Sequence, residues 1–116
     1  MTATPSRVTV LGTGYLGVTH AACMASLGYD VLAMDVDDAK IGMLRDGQLP
    51  FYEPGLEELL REQLATGRLR FTTSYAEVAA HGDVHFLCVG TPQKVGEQSA
   101  DLTYVDAVID GLAPHL

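Results

Sequence analysis

Residues 8–17, Val-Thr-Val-Leu-Gly-Thr-Gly-Tyr-Leu-Gly, constrain this chain more than any other stretch. A short apolar, β-branched run leads straight into Gly12-x-Gly14-x-x-Gly17, and an amphipathic helical pattern opens at the last glycine. A strand, a glycine turn and a helix in that order form the context in which three glycines at this spacing hold a dinucleotide. Each glycine has a separate task. Gly12 lets the chain turn sharply off the strand, Gly14 lets the backbone approach a diphosphate, and Gly17 lets the helix pack closely on the strand. The free N–H groups and the dipole at the start of the helix favour the negative charge of phosphate. Residues Gly12, Thr13, Gly14, Tyr15, Leu16 and Gly17 are therefore the first candidate binding segment.

Asp35 supplies the second signal. Residues 30–35, Asp-Val-Leu-Ala-Met-Asp, read as a second strand with Asp35 at its carboxyl end, 18 residues beyond Gly17. The expected spacing to a ribose-binding acid is about 20 residues. A carboxylate there accepts the hydroxyls of the adenosine ribose and repels a 2′-phosphate, and the next residue is Val36 rather than an arginine. The expected cofactor is NAD rather than NADP. Asp37 and Asp38 suit a different task, the opening of the next helix.

The sequence has 116 residues, the size of one domain, and 47% of them are hydrophobic, enough for a core. A formal net charge of −8 argues against nucleic acid or an anionic membrane as partner. No stretch is long and apolar enough to span a bilayer, and residues 1–7 lack the apolar centre of a signal peptide. The expectation is a cytoplasmic chain. Cys23 and Cys88, each among apolar neighbours, are expected to be buried free thiols. No cysteine–histidine pair has metal-ligand spacing, and nothing groups His20, His81, His85 and His115.

Along the chain, helical and extended patterns alternate. Residues 15–27 form the first helix, and Asp38 opens a short second one that ends near Gly47. Pro54 is expected as the first residue of a helix with Leu56, Leu59, Leu60 and Leu64 on one face. Residues 69–73 read as a third strand, and Ser74-x-x-Glu77 as a capping box. Residues 84–89, Val-His-Phe-Leu-Cys-Val, form a fourth strand, apolar on both faces and so expected to be central. Residues 93–100 read as a mobile loop. Thr103-x-x-Asp106 resembles another capping box, before a helix with Val105, Val108, Ile109 and Leu112 inward. Alternation of this kind specifies an α/β, Rossmann-like doubly wound parallel sheet. The order is 3-2-1-4, incomplete at about four strands where a whole fold has about six. The chain is expected to be truncated.

Strands one and four then lie side by side, with their connections leaving to opposite faces. Ligands bind at such a switch point, beyond the carboxyl ends of the strands. Val89, Gly90, Thr91, Pro92 and Gln93 should face the glycine loop across that crevice.

Four segments, in order, carry a family resemblance. They are Gly12–Gly17, Pro50-Phe51-Tyr52-Glu53-Pro54-Gly55-Leu56, Gly67-Arg68-Leu69-Arg70-Phe71-Thr72-Thr73, and Val89-Gly90-Thr91-Pro92. From Arg7 onward the chain resembles the N-terminal NAD-binding part of the UDP-glucose/GDP-mannose dehydrogenase family, with Phe51-Tyr52 favouring the UDP-glucose branch. The resemblance implies NAD as cofactor and UDP-glucose as the full-length enzyme's substrate. It further implies a homo-oligomeric enzyme that oxidises the sugar C6 hydroxyl in two hydride transfers, through a thioester on a cysteine. It also implies that Lys40 lies near the adenosine ribose. The family's catalytic cysteine sits in a glycine-rich, Phe-Pro-Lys-containing segment that has no counterpart here, and neither Cys23 nor Cys88 matches it. No catalytic residue is therefore assigned, and the sugar-nucleotide domain is expected to be absent. A related GDP-mannose or UDP-N-acetylmannosamine enzyme and a free-standing, non-catalytic NAD-binding module remain open. A methyltransferase half would also end its second strand with an acid, but the helix start at Gly17 and the Val-Gly-Thr-Pro loop argue against it.

Overall fold

The computed structural model describes residues 6–89 and 103–116. Strands β1 (Arg7–Leu11), β2 (Asp30–Met34), β3 (Leu69–Thr72) and β4 (Val84–Leu87) form one parallel sheet. The order is β3-β2-β1-β4, as the alternating pattern implied. Between and after the strands run α1 (Tyr15–Ser26), α2 (Asp38–Arg45), α3 (Leu56–Thr66), α4 (Tyr75–His81) and α5 (Thr103–Leu112). No helix among the described residues is long and apolar enough to cross a membrane.

The sheet is wound on both faces because alternate strand residues serve two cores. Val8, Val10, Val31, Ala33, Leu69 and Phe71 pack with Val18, Ala21, Ala22 and Ala25 of α1 and with Leu56 and Leu60 of α3. Leu11, Leu32 and Met34 belong to a second cluster, with Val78 of α4 and Val108 and Leu112 of α5. Each fully buried valine or leucine in these layers contributes roughly 1.5–3 kcal/mol of burial. Thr9 is the buried polar residue of β1, and its hydroxyl pairs with His85 Nδ1 on β4. Its polarity is thus satisfied inside the sheet, and His85 is a packed histidine.

Several local expectations change. Pro54 does not open α3. Gly55 follows it in the left-handed region (φ 84°), which interrupts a right-handed helix, and α3 starts at Leu56. The leucine face holds: Leu56 and Leu60 are buried, while Leu59 and Leu64 are half-buried against the same cluster. The box at Ser74 closes on one side only. Ser74 Oγ accepts from the Glu77 N–H, whereas the Glu77 carboxylate takes the Thr72 hydroxyl instead of the Ser74 N–H. The box at Thr103 begins beside residues outside the described ones. The mobile-loop expectation for residues 93–100 also lies outside them.

Strand β4 is not central among the described residues. It pairs with β1 alone, so Val84 and Leu87 stay 45% and 42% exposed. Ile109, expected to face inward on α5, is exposed, while Val108 and Leu112 are buried as expected. Cys23 is exposed as well, contrary to expectation. The buried stripe of α1 runs through Gly17, Val18, Ala21, Ala22 and Ala25, and position 23 falls on the other side of the helix. Cys88 is half-buried.

Two stability outcomes follow. Leu60→Ala removes a fully buried side chain between α3 and the sheet, and lowers the unfolding free energy by about 2–5 kcal/mol in a urea titration. Gly17→Ala costs about 1–3 kcal/mol in the same titration, because the added Cβ collides with the Gly12 carbonyl, whose neighbours cannot give way. Gly14→Ala meets nothing within 4 Å and loses only the roughly 1 kcal/mol of a poorer helix N-cap. Equal losses at Gly14 and Gly17 would contradict this account.

Candidate functional site

The carboxyl ends of β1, β2 and β4 and the second turn of α5 enclose a cleft of about 350 Å³. Its floor is the start of the glycine loop. Gly12 turns off β1 with φ 109°, and its N–H donates to the Met34 carbonyl at 2.8 Å, tying the loop to β2. A Cβ at Gly12 would lie 2.6 Å from the Cys88 carbonyl oxygen, so only glycine lets the β1 and β4 exits come this close. The backbone continues into α1 at Gly14, which has an ordinary negative φ and open space around it. That space faces the cleft, where Gly14 is a lining residue.

The N-terminus of α1 is dressed differently from those of the neighbouring helices. It has no side-chain cap and no acidic residue in its first turn. By contrast α2 is capped by Asp37, whose Oδ1 accepts the Lys40 N–H, α3 carries Glu57 and Glu58, and α4 carries Ser74 and Glu77. Those helices neutralise their own positive ends. At α1 the first-turn N–H groups and the end of the dipole are left for an anion.

Asp35 sits just past β2, on the other side of the loop. Its Oδ2 accepts the Thr13 N–H at 3.0 Å and the Thr13 hydroxyl at 2.8 Å, with Lys40 Nζ 3.4 Å away. Its Oδ1 accepts the Asp37 N–H at 3.2 Å. Burial raises the cost of ionising Asp35, but the Thr13 bonds, the Asp37 N–H and the Lys40 charge outweigh it. The carboxyl is held below its ordinary value. The folded state therefore favours the ionised form. The stability this gives is present above the ordinary carboxylate range and is lost as the pH falls below it.

The cleft thus gathers Gly12, Thr13, Gly14, Asp35, Lys40 and Val89 from the expected set. It does not gather Tyr15, Leu16 or Gly17. Tyr15 and Leu16 are exposed, and Tyr15 packs edge-on to Phe51 at 5.6 Å, which fastens the segment before α3 to the start of α1. Gly17 is buried against the Gly12 carbonyl. Gly90, Thr91, Pro92 and Gln93 lie outside the described residues. Six lining residues were not among the expected site residues: Met34, Val36, Tyr75, Cys88, Ala107 and Val108. Met34 and Val36 flank Asp35 and were open to inference. Tyr75 and Ala107 come from α4 and α5, and only the folded packing of those helices brings them there. No cluster of three or more histidine, cysteine, aspartate or glutamate side chains among the described residues could hold a metal ion.

A dinucleotide fits these residues. An uncapped helix start lies beside a glycine with free space, and an ionised carboxylate stands one strand away. Comparison with known proteins agrees. The profile of the UDP-glucose/GDP-mannose dehydrogenase family, NAD binding domain, matches residues 6–116. A UDP-glucose 6-dehydrogenase of Pseudomonas aeruginosa is 47% identical over 111 residues, which are 95% of this chain and 24% of that protein. A GDP-mannose 6-dehydrogenase of Pseudomonas syringae pv. tomato is 42% identical over 102 residues, 88% of this chain and 23% of that protein. Among solved structures, a UDP-glucose dehydrogenase from Pyrobaculum islandicum superimposes with a TM-score of 0.88 at 43% identity, covering 94% of this chain and 25% of that one. The chain spans about a quarter of the length of the relatives it matches. By sequence and by fold it belongs to the UDP-glucose/GDP-mannose dehydrogenase family, whose NAD-binding domain it carries.

Proposed function

We propose that this chain holds the oxidant, NAD, for a nucleotide-sugar 6-dehydrogenase, and that the sugar is UDP-glucose. The observation that carries the cofactor role is Asp35, kept ionised at the end of β2 and facing an uncapped helix N-terminus across the glycine loop. In this reading the diphosphate lies over Gly14 and the start of α1. The adenosine ribose lies on Asp35, with Lys40 beside it. Val36, exposed and apolar, offers nothing to a 2′-phosphate, and Asp35 repels one. NAD supplies the hydride acceptor. These residues bind and orient it, and the first-turn N–H groups of α1 stabilise its phosphate charge.

Phe51-Tyr52 before Glu53 supports UDP-glucose as the sugar nucleotide. The alternative is GDP-mannose, which the relative of that name at 42% identity keeps in view. The thiol and acid–base groups that oxidise the sugar are proposed to lie outside these 116 positions. Cys23 stands on the solvent face of α1, and nothing about Cys88 marks it as activated.

Calorimetric titration of the chain is expected to give tighter binding of NAD than of NADP. Asp35→Ala should cost about 1–3 kcal/mol of NAD affinity, the scale of a lost hydrogen bond to a charged group. Coincident NAD and NADP isotherms, or an unchanged affinity in the alanine variant, would remove Asp35 from the site. Incubation of the chain with NAD and UDP-glucose should produce no rise in absorbance from NADH. A sustained rise would place catalytic groups within these residues after all.

A further inference from the structure

The side chain between the first two glycines of the loop is committed to Asp35. Thr13 has no solvent exposure, and its hydroxyl donates to Asp35 Oδ2 at 2.8 Å. Its N–H donates to the same oxygen at 3.0 Å, so neither polar group of Thr13 is left for a phosphate. Lys40 Nζ approaches Oδ2 as well, at 3.4 Å. Three donors thus converge on one carboxylate oxygen. The other, Oδ1, takes only the Asp37 N–H. A carboxylate offers about four acceptor positions across its two oxygens, and those still open are concentrated on Oδ1.

We propose that Thr13 is a positioning residue: it pins Asp35 Oδ2 to the glycine loop and thereby aims Oδ1 at the cofactor's ribose. The register of the sheet makes this possible. Leu11 pairs with Met34, so Thr13 and Asp35 both lie just beyond the last paired rung of adjacent strands. The loop that faces the diphosphate and the acid that faces the ribose are then one rigid unit. Without the hydroxyl, Asp35 would swing about its side-chain torsions and spend binding free energy on being ordered. The hydroxyl rather than the bulk of Thr13 is what counts. The proposal rests on Asp35 being the ribose contact.

The experiment compares Thr13→Val, Thr13→Ser, Asp35→Ala and the Thr13→Val/Asp35→Ala double variant in the full chain. NAD affinity is read by calorimetry, and the Asp35 carboxyl titration by carbon-detected NMR without ligand. Thr13→Val should weaken NAD binding by roughly three- to tenfold, the scale of a hydrogen bond to a charged group made less well. It should also move the Asp35 titration up towards its ordinary value. Thr13→Ser should restore both. On the Asp35→Ala background, Thr13→Val should add no further loss, because the two residues act as one unit. Should the valine variant not fold, Thr13→Ala, which removes the hydroxyl and adds no atoms, carries the same comparison.

Unchanged NAD affinity in the hydroxyl-less variants, with Asp35→Ala still weakened, overturns the role of Thr13 and leaves the cofactor reading intact. An equal loss from Thr13→Val with and without Asp35 overturns it too, by making Thr13 a direct contact. An Asp35→Ala chain that binds NAD normally overturns the ribose assignment itself, and with it the premise.

Discussion

The close approach of Gly17 to the carbonyl of Gly12 is the contact on which this structure is built. A side chain at position 17 would occupy the space of that carbonyl, so the start of α1 can lie against the end of β1 only without one. The alanines at positions 21, 22 and 25 extend the same close packing along the helix, all fully buried against β1 and β2. The contact acts on geometry more than on energy. It aims α1 so that its first turn ends at the cleft rather than in solvent. Gly12 performs the matching task towards β4, where any Cβ would strike the Cys88 carbonyl. Two missing side chains therefore bring three strand exits and one helix start to a single point.

What gathers at that point is electrostatically unusual for so acidic a chain. The net charge is −8, yet the start of α1 at the cleft carries no acid, while the starts of α2, α3 and α4 are supplied with their own. Among the described residues, the only carboxylate lining the cleft is Asp35. It is hydrogen-bonded by Thr13 and partly balanced by Lys40, whose side chain is itself 30% exposed. In the proposed reading, phosphate charge and ribose hydroxyls are met by separate partners, the α1 start and Asp35. The pair is half-buried and, at 3.4 Å, only loosely closed. Its effect lies in fixing where negative charge is tolerated.

Much of this was legible in the sequence, because its physics is local. Glycines at fixed spacing, an apolar run before them and an acid at the end of the next run are all statements about neighbouring residues. The parallel order followed from strand–helix alternation and the handedness of crossovers. Helix starts were harder. Pro54 satisfies the preference for proline in a first turn, but Gly55 in the left-handed region overrides it, and φ is not written in composition. Ile109 and Cys23 each sat beside truly buried positions, and one step around a helix is 100°, enough to exchange core for solvent. Strand β4 reads as central because it is apolar on both faces. Its burial depends on what pairs along its far edge, a non-local fact. The direction of the Thr13 side chain was equally hidden, since it depends on the β1–β2 register rather than on the loop's own sequence.

Cys88 shows how the site's own packing decides which groups can react. It lines the cleft, and its position beside the glycine loop invites a nucleophilic role. Burial pushes its thiol pKa up, however, and among the described residues no cation pulls the other way. The thiolate is the reactive form, and a thiol raised above its ordinary value supplies less of it at neutral pH. Asp35, equally close to the cleft, meets the same desolvation but gains three hydrogen bonds and a lysine, so its balance reverses. The loop that draws the β1 and β4 exits together thus lies between a thiol whose pKa is pushed up and a carboxyl whose pKa is held down. That division suits a surface that binds an oxidant without attacking it.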